Sequence, residues 1–271
     1  MKTLTSLAII MVSLIGLPAF AADDSWDSIR ADLYGTRAVQ DGSNVIAIDA
    51  PYRSPNDART DLAAQVVAPA GLKIARVTLV LDENPMPVSA VFELDVPQTS
   101  FFFDVTMRVN GPTPLHVVAE TADGQLFVAE TFVKTSGSGA CAAPPGTDPK
   151  LALATLGQMH LAMSDALPGV SIGRVSSLNT RLSRMDLDIS HPSHSGMQMD
   201  QISMLFIPMR YVETVKIDLD GAGYVSLTGS ISLSENPQLG LSVPGDTSRV
   251  SVTMTDTDGT VSKVTRQFGG F

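Results

Sequence analysis

The sequence predicts an all-β protein built from two antiparallel β-sandwiches. Three observations carry that expectation. Apolar and polar residues alternate with period two over many short runs, turn dipeptides separate the runs, and no convincing helix separates the strands. The clearest runs are consecutive. Val88, Ala90, Phe92, Leu94 and Val96 fall on one face, as do Phe101, Phe103, Val105, Met107 and Val109 in the next run. Glu93, Asp95, Asp104, Thr106 and Arg108 are expected on the opposite, wetter face.

The chain opens on a different pattern. Lys2 supplies a positive charge, Leu4 to Leu17 is mostly apolar but too short to span a bilayer as a mature helix, and Ala19-Phe20-Ala21 is a small-x-small cleavage site. Residues 1–21 therefore read as a signal peptide, and the protein as exported to a bacterial periplasm with no membrane span after cleavage. Removing 21 of the 271 residues leaves 250, enough for one large β domain or two smaller ones. The whole chain carries a formal charge of −10; the signal holds one lysine and no acid, so the mature protein stands at −11. That acidity argues against nucleic acid and anionic membranes as partners, and is itself a sufficient reason for solubility.

Trp26, Ile29 and Leu33 mark one face of a short helix over Asp23 to Gly35, with Ser25 placed to cap its start and Gly35 its end. Ala75, Val77, Leu79 and Leu81 give a strand, and Asp123-Gly124 a hairpin turn. Residues 22–135 form the first domain in this reading, 136–149 a linker, 150–184 a connecting segment and 185–271 the second domain. In the second, Met185 to Ile189 alternates. Met204 to Leu219, interrupted by Pro208, reads as two strands or a bulged edge strand, and Asp258-Gly259 forms the last hairpin. Glu83-Asn84-Pro85 and Glu235-Asn236-Pro237 echo each other across the halves.

The single cysteine lies in the linker. Cys141 comes after Lys134-Thr-Ser-Gly-Ser-Gly-Ala140 and precedes Ala142, Ala143, Pro144 and Pro145. Gly137 and Gly139 supply flexibility to the arm before it, and the prolines stiffen the segment on its C-terminal side. One cysteine excludes an intramolecular disulfide. An enzyme reading finds little support: no Gly-x-Ser-x-Gly elbow, dinucleotide fingerprint, phosphate loop or haem-attachment motif occurs. His191 and His194 lack further ligands at a zinc-like spacing, and Met197, Met199, Met204 and Met209 suit strand packing at least as well as a copper site. Neither a metal nor a cofactor is expected.

Pro51-Tyr-Arg-Ser-Pro-Asn-Asp-Ala-Arg59, Val80-Leu-Asp-Glu-Asn-Pro-Met-Pro-Val88 and Phe132-Val-Lys134 ahead of the cysteine resemble the SoxY sulfur-carrier subunit. Ile189-Ser-His-Pro192, Ser195-Gly196, Phe206-Ile-Pro208 and Ser234-Glu-Asn-Pro237 resemble its partner subunit SoxZ. Together they are similar to fused SoxYZ-like carriers associated with quinoprotein dehydrogenases. The resemblance implies that the two antiparallel β-sandwiches are immunoglobulin-like, and that the protein is a non-enzymatic carrier with Cys141 as the covalent attachment point for a sulfur-containing or other small cargo. It implies as partners a quinoprotein (PQQ-dependent) dehydrogenase system, a c-type cytochrome or Sox-like enzymes. SoxY ends at its arm as Gly-Gly-Cys-Gly-Gly, whereas Cys141 is internal and tethered on both sides. The alternative is a non-covalent adaptor or electron-transfer accessory that docks a dehydrogenase and a cytochrome, its thiol incidental.

Exported protein is expected to begin at Ala22, because Ala19 and Ala21 satisfy signal peptidase. N-terminal sequencing of the periplasmic fraction checks this; a chain still starting at Met1 would refute it.

Overall fold

The computed structural model describes residues 25–137, 139, 149–164, 182–200 and 203–269. The proposed signal peptide and Cys141 lie outside the described residues. Strand formation obeys the alternation, and the all-β expectation holds. The first half contains α1 (Ser25–Tyr34), β1 (Val39–Asp41), β2 (Ile46–Asp49), β3 (Thr60–Val67), β4 (Ile74–Leu81), β5 (Val88–Gln98), β6 (Ser100–Met107), β7 (Thr113–Thr121) and β8 (Leu126–Val133). The second contains α2 (Pro149–Ala154), β9 (Met159–Ser164), β10 (Leu182–Ile189), β11 (Val212–Leu219), β12 (Ala222–Gly229), β13 (Gln238–Pro244), β14 (Arg249–Asp256) and β15 (Val261–Gln267). Thus β9 arises within the stretch read as a connector, and pairs with β10 from Met159↔Ile189 to Ser164↔Arg184.

The two halves share both of their sheets. One sheet runs β1-β8-β7-β4-β5-β12-β11-β14-β15 and the other β2-β3-β6-β13-β10-β9. In the first sheet β5 pairs antiparallel with β12, placing Phe92 opposite Leu227 and Leu94 opposite Val225. In the second, β6 pairs antiparallel with β13 through Phe103↔Leu241 and Val105↔Leu239. Two sandwiches thus meet edge to edge, and one apolar core runs through both. At its centre Phe92 lies 4.5 Å from Phe103 and 5.7 Å from Phe101, ring centroid to centroid, in tilted geometry.

Several local expectations change in the folded chain. Thr106 and Arg108, assigned to the wet face, are buried. The Ser230–Asn236 turn of the second half covers them: Arg108 N–H donates to Ser232 O at 2.6 Å, and Ser234 Oγ donates to Thr106 Oγ1 at 2.7 Å. Val96 is 60% exposed in an irregular stretch of β5, where the register with β4 shifts between Glu93↔Arg76 and Gln98↔Ile74. β11 lies between β12 and β14 and is not an edge strand. Met199, Met204 and Met209 are exposed, whereas Met185 and Met254 fill the core.

Helix α1 covers the outer face of the nine-stranded sheet. Trp26 stacks on His116 with ring centroids 3.9 Å apart, and Tyr34 packs on Val118 and Leu126. Leu33, expected on the packed face, is 40% exposed, and Tyr34 takes that place. Ser25 Oγ donates to Glu83 Oε1 at 3.1 Å, while Gly35 ends the helix at φ 58°.

Both Glu-Asn-Pro turns fasten the junction. Asn84 Nδ2 donates to Arg108 O and to Ser232 Oγ, each at 2.8 Å, and its Oδ1 accepts from Asn110 N–H at 2.8 Å. Asn236 Oδ1 accepts from His191 N–H at 3.0 Å, and Asn236 N–H donates to His191 O at 2.8 Å. His191 is itself buried. Its Nδ1 accepts from Ser193 N–H at 2.9 Å, so the neutral ring carries its proton on Nε2, 3.3 Å from Asp256 Oδ2. Burial lowers the His191 pKa to about 4, against the opposing pull of Asp256.

The unfolded chain protonates this imidazole near pH 6.5 and the folded one only near pH 4. Between those values the unfolded state binds more protons, so stability falls on acidification. The expected loss is on the order of 3 kcal/mol. Urea midpoints measured from pH 7 to 4 check it: wild type should lose stability across this window, and His191→Gln should lose much less. Equal slopes in the two proteins would show that His191 does not drive the change.

Candidate functional site

The arm that leads to Cys141 leaves the end of β8, and the segment Pro51–Arg59 forms its cradle. Lys134 N–H donates to Tyr52 O at 2.7 Å, and Ser54 N–H donates to Lys134 O at 2.9 Å, so the chain leaving β8 is zipped to this segment. Within the cradle, Asn56 Oδ1 accepts from Ala58 N–H at 3.1 Å, and Ser54 Oγ lies 2.6 Å from Thr60 Oγ1. These local bonds hold Asp57 under the arm. Its Oδ2 accepts from Ser136 N–H at 2.8 Å, from the Ser136 hydroxyl, and from Gly137 N–H at 3.2 Å. Asp57 O accepts from Val109 N–H at 2.8 Å, which ties the cradle to the chain just beyond β6. Arg59 Nη1 donates to Glu235 O at 2.8 Å and Asn236 O at 3.0 Å, reaching the second half.

The expected flexible glycines have separate physical reasons. Gly137 sits at φ 106°, a conformation that side chains rarely adopt, with open space around it. Gly139 is buried in a slot: a Cβ there would lie 2.1 Å from Val109 O and 2.4 Å from Asp57 O. The second glycine is thus required by close packing of the arm on backbone. Cys141 lies outside the described residues, but it comes only two positions after Gly139. Sequence reading missed Asp57 as the clamp. An Asx-type turn was legible in Ser54-Pro-Asn-Asp57, although its target was not.

The far side of the junction lies close by. Arg108 precedes Val109, is fully buried, and donates from Nη2 to Ser193 O at 3.2 Å. Burial pushes its guanidinium pKa down, and the Glu235 carboxylate opposes that shift. His191 and His194, weighed as metal ligands, serve the loop between β10 and β11: His194 Nδ1 lies 3.0 Å from Gln198 Oε1, and His191 bridges Ser193 to Asp256. Asp256 also accepts from Arg210 Nε at 2.8 Å; burial raises its pKa, but Arg210, Thr260 N–H and His191 outweigh that and hold it low. Among the described residues, no group of three or more His, Cys, Asp or Glu side chains is placed to hold a metal ion.

The sequence of this scaffold matches two known families. Residues 30–141 match the sulfur oxidation protein SoxY, and residues 177–267 match the sulphur oxidation protein SoxZ. The chain joins a SoxY-family domain to a SoxZ-family domain. The SoxY match ends on Cys141. A search of curated proteins gives no match. Among solved structures, the sulfur carrier protein SoxY from Chlorobium limicola f thiosulfatophilum is similar at 23% identity and a TM-score of 0.36, covering 42% of this chain and 97% of that one. The seams β5–β12 and β6–β13 therefore join a SoxY-type half to a SoxZ-type half, and the arm root lies on the SoxY side of that boundary.

Gly139→Ala is expected to unseat the arm, since a Cβ at 2.1 Å from a backbone oxygen cannot be accommodated. Alkylation of Cys141 by a maleimide should accelerate severalfold and protease cleavage near the arm should increase. Gly137→Ala, which meets open space, should change both less. Wild-type kinetics in Gly139→Ala would show that the slot does not restrain the arm.

Proposed function

We propose that the protein is a periplasmic SoxYZ-like carrier that holds a sulfur-containing or other small cargo covalently on Cys141 and presents it to enzymes of a quinoprotein dehydrogenase system. The observation that carries this reading is the arm root. The SoxY match terminates at the thiol, and the chain before it is clamped by Asp57 and slotted at Gly139 on a rigid double sheet. A carrier needs a thiol held at a defined place on a scaffold that does not itself deform. The exported compartment, the cargo and the dehydrogenase partners rest on the signal-like N-terminus and on the sequence resemblance.

Loading and unloading can proceed by thiol–disulfide exchange. The Cys141 thiolate attacks a sulfur atom of a disulfide-type bond in the incoming cargo, a new S–S bond forms as the old one breaks, and the leaving sulfur departs as thiolate. The electron count is unchanged, so no separate oxidant is consumed. Delivery is the reverse exchange with an acceptor thiolate. The residues flanking the thiol in sequence, Ala140 and Ala142, are small, as access for in-line attack requires.

Cys141→Ser is expected to abolish function with little change in stability, because a hydroxyl cannot form the exchangeable S–S bond and substitutions away from packed features usually change stability by only about half a kcal/mol. Replacement in the native host, with growth on the relevant alcohol or sulfur source and the melting temperature measured together, provides the check. Wild-type growth at an unchanged melting temperature would favour the adaptor reading, in which the thiol is incidental.

A further inference from the structure

Helix α1 is fastened at its two ends by different means. At the C-terminal end Tyr34, the one buried residue of the helix, packs on Val118 and Leu126 in a small cluster separate from the shared core. Beyond the bend at Gly35, Arg37 pins the chain to the sheet, donating from Nη2 to Glu120 Oε1 at 2.6 Å and to Gly124 O at 2.8 Å. The N-terminal end rests on Trp26, whose ring lies 3.9 Å from that of His116 at an interplanar angle of 8°, and on the bond from Ser25 to Glu83. A helix with a single buried side chain gains little from burial, so it can leave the sheet without opening the core. Tyr34 and Gly35 then serve as the hinge, and Trp26 marks the free end.

Under that free end lies a buried imidazole between two carboxylates. His116 stands on β7 with its side chain 3% exposed. Its Nδ1 lies 2.9 Å from Asp82 Oδ1 and its Nε2 3.4 Å from Glu130 Oε2. A ring with one proton donates to only one of them, and at the other nitrogen a lone pair then faces a carboxylate oxygen. Both contacts are favourable only when each ring nitrogen carries a proton. Asp82 has little freedom to adjust: its side chain is 1% exposed, and its Oδ2 is buried without a hydrogen-bond partner. Glu130 is free to turn, being 63% exposed beside a cleft of about 560 Å³ that Trp26 and His116 also line. Around them stand Asp27, paired with Arg30 at 3.4 Å, Asp41, which accepts from Ser43 N–H at 3.0 Å and its hydroxyl at 2.9 Å, and Glu83, bonded to Ser25.

We infer that Asp82, His116 and Glu130 form a proton-operated latch for helix α1: the doubly protonated ring holds Trp26, and loss of one ring proton frees the N-terminal end of the helix to swing on Gly35. The face of an indole attracts an imidazolium more strongly than a neutral imidazole. When the ring loses a proton to water in the cleft, buried Asp82 keeps the remaining N–H. Glu130 then faces a bare nitrogen and turns to solvent, and the attraction for Trp26 weakens. The latch is therefore closed on the acid side of the ring's titration and open on the alkaline side. That sense is opposite to the acid sensitivity that His191 gives the fold as a whole, so the two effects separate.

Trp26 is the only tryptophan of the chain, so its fluorescence reads the latch directly. The test compares wild type, His116→Gln and Glu130→Gln from pH 5 to 9, by acrylamide quenching of Trp26 and by amide hydrogen exchange corrected for the intrinsic rate at each pH. In wild type, acrylamide access should rise severalfold with pH, and protection in the first half of α1 should fall about tenfold while β7 and β8 stay protected. His116→Gln should lose the pH dependence of both readouts. Glu130→Gln should keep the helix closed throughout, because an amide accepts from a protonated Nε2 and donates to a bare one. If His116→Gln does not fold, Glu130→Gln, at an exposed position, decides. A wild-type Trp26 whose access does not change with pH would overturn the latch, and so would a wild-type response retained in Glu130→Gln. Emission that changes with pH while access and exchange stay constant would show a ring that titrates beneath a fixed helix, and would overturn it too.

Discussion

The pairing of β5 with β12 and of β6 with β13 is the constraint on which the remaining geometry depends. Without these seams each sandwich would present two open strand edges, with unpaired backbone groups beside apolar side chains. The register is fixed by burial. Phe92, Leu94, Val225 and Leu227 all enter the core from the two strands, and a slip of one residue would turn each of them outward. Because both layers cross the boundary, the halves cannot hinge about a single sheet. The arm root on one side and the loop between β10 and β11 on the other consequently keep their spacing, which a single-layer connection would not guarantee.

Polar groups then seal the end of the seam. Residues 106 and 108 would be ordinary outward-facing positions on a lone sandwich. Here the turn at Ser230–Asn236 closes over them, and Asn84, Ser232, Ser234 and Asn236 supply hydrogen-bond partners to the groups it buries. Buried polar groups left without partners are expensive, so the two Glu-Asn-Pro turns are better described as the polar closure of a shared core than as generic turns. Their similarity in the two halves has a different outcome in each. Asn84 satisfies groups from both sides of the seam, and Asn236 holds His191 at the base of the loop between β10 and β11.

The fold was legible in the sequence wherever one strand faces one core. The run from Phe101 to Val109 buries every residue assigned to its inner face, and both Asp-Gly hairpins form at positive-φ glycines, Gly124 and Gly259. The departures have separate causes. Arg108 is buried because a turn of the other half closes over it, β11 is central because β14 of its own half pairs along its free edge, and Val96 is exposed where the register between β4 and β5 shifts; a local pattern contains no information about any of these partners. The site was legible in part. Cys141 stands out by composition and Gly137 by its turn-prone surroundings. Asp57 and the slot at Gly139 depend on Val109 and the Pro51–Arg59 segment meeting beneath the arm, which only the folded chain arranges. The methionines of the loop between β10 and β11 also depart from expectation: their spacing is compatible with a strand face, but no second layer covers them.

The position of the anchors limits how an internal cysteine can work. With Gly139 seated, the Cα of Cys141 can stand no more than about 7 Å from the slot, since two extended residues span no more than that. If the slot empties but Asp57 still holds Ser136, five residues give a limit of about 17 Å. On the other side Pro149 lies eight positions beyond Cys141, a limit of about 27 Å. The N-terminal attachment is therefore the shorter tether and sets the reach. A cysteine held in this way serves a partner only if the partner comes to it, because the loop cannot be fed end-first into a deep channel. Local concentration then matters more than arm length: a contact that holds the two proteins together beside a short tether raises the effective concentration of thiol at the cleft without any new bond to the sulfur. The double seam and the two-stage anchor are consistent parts of such a design.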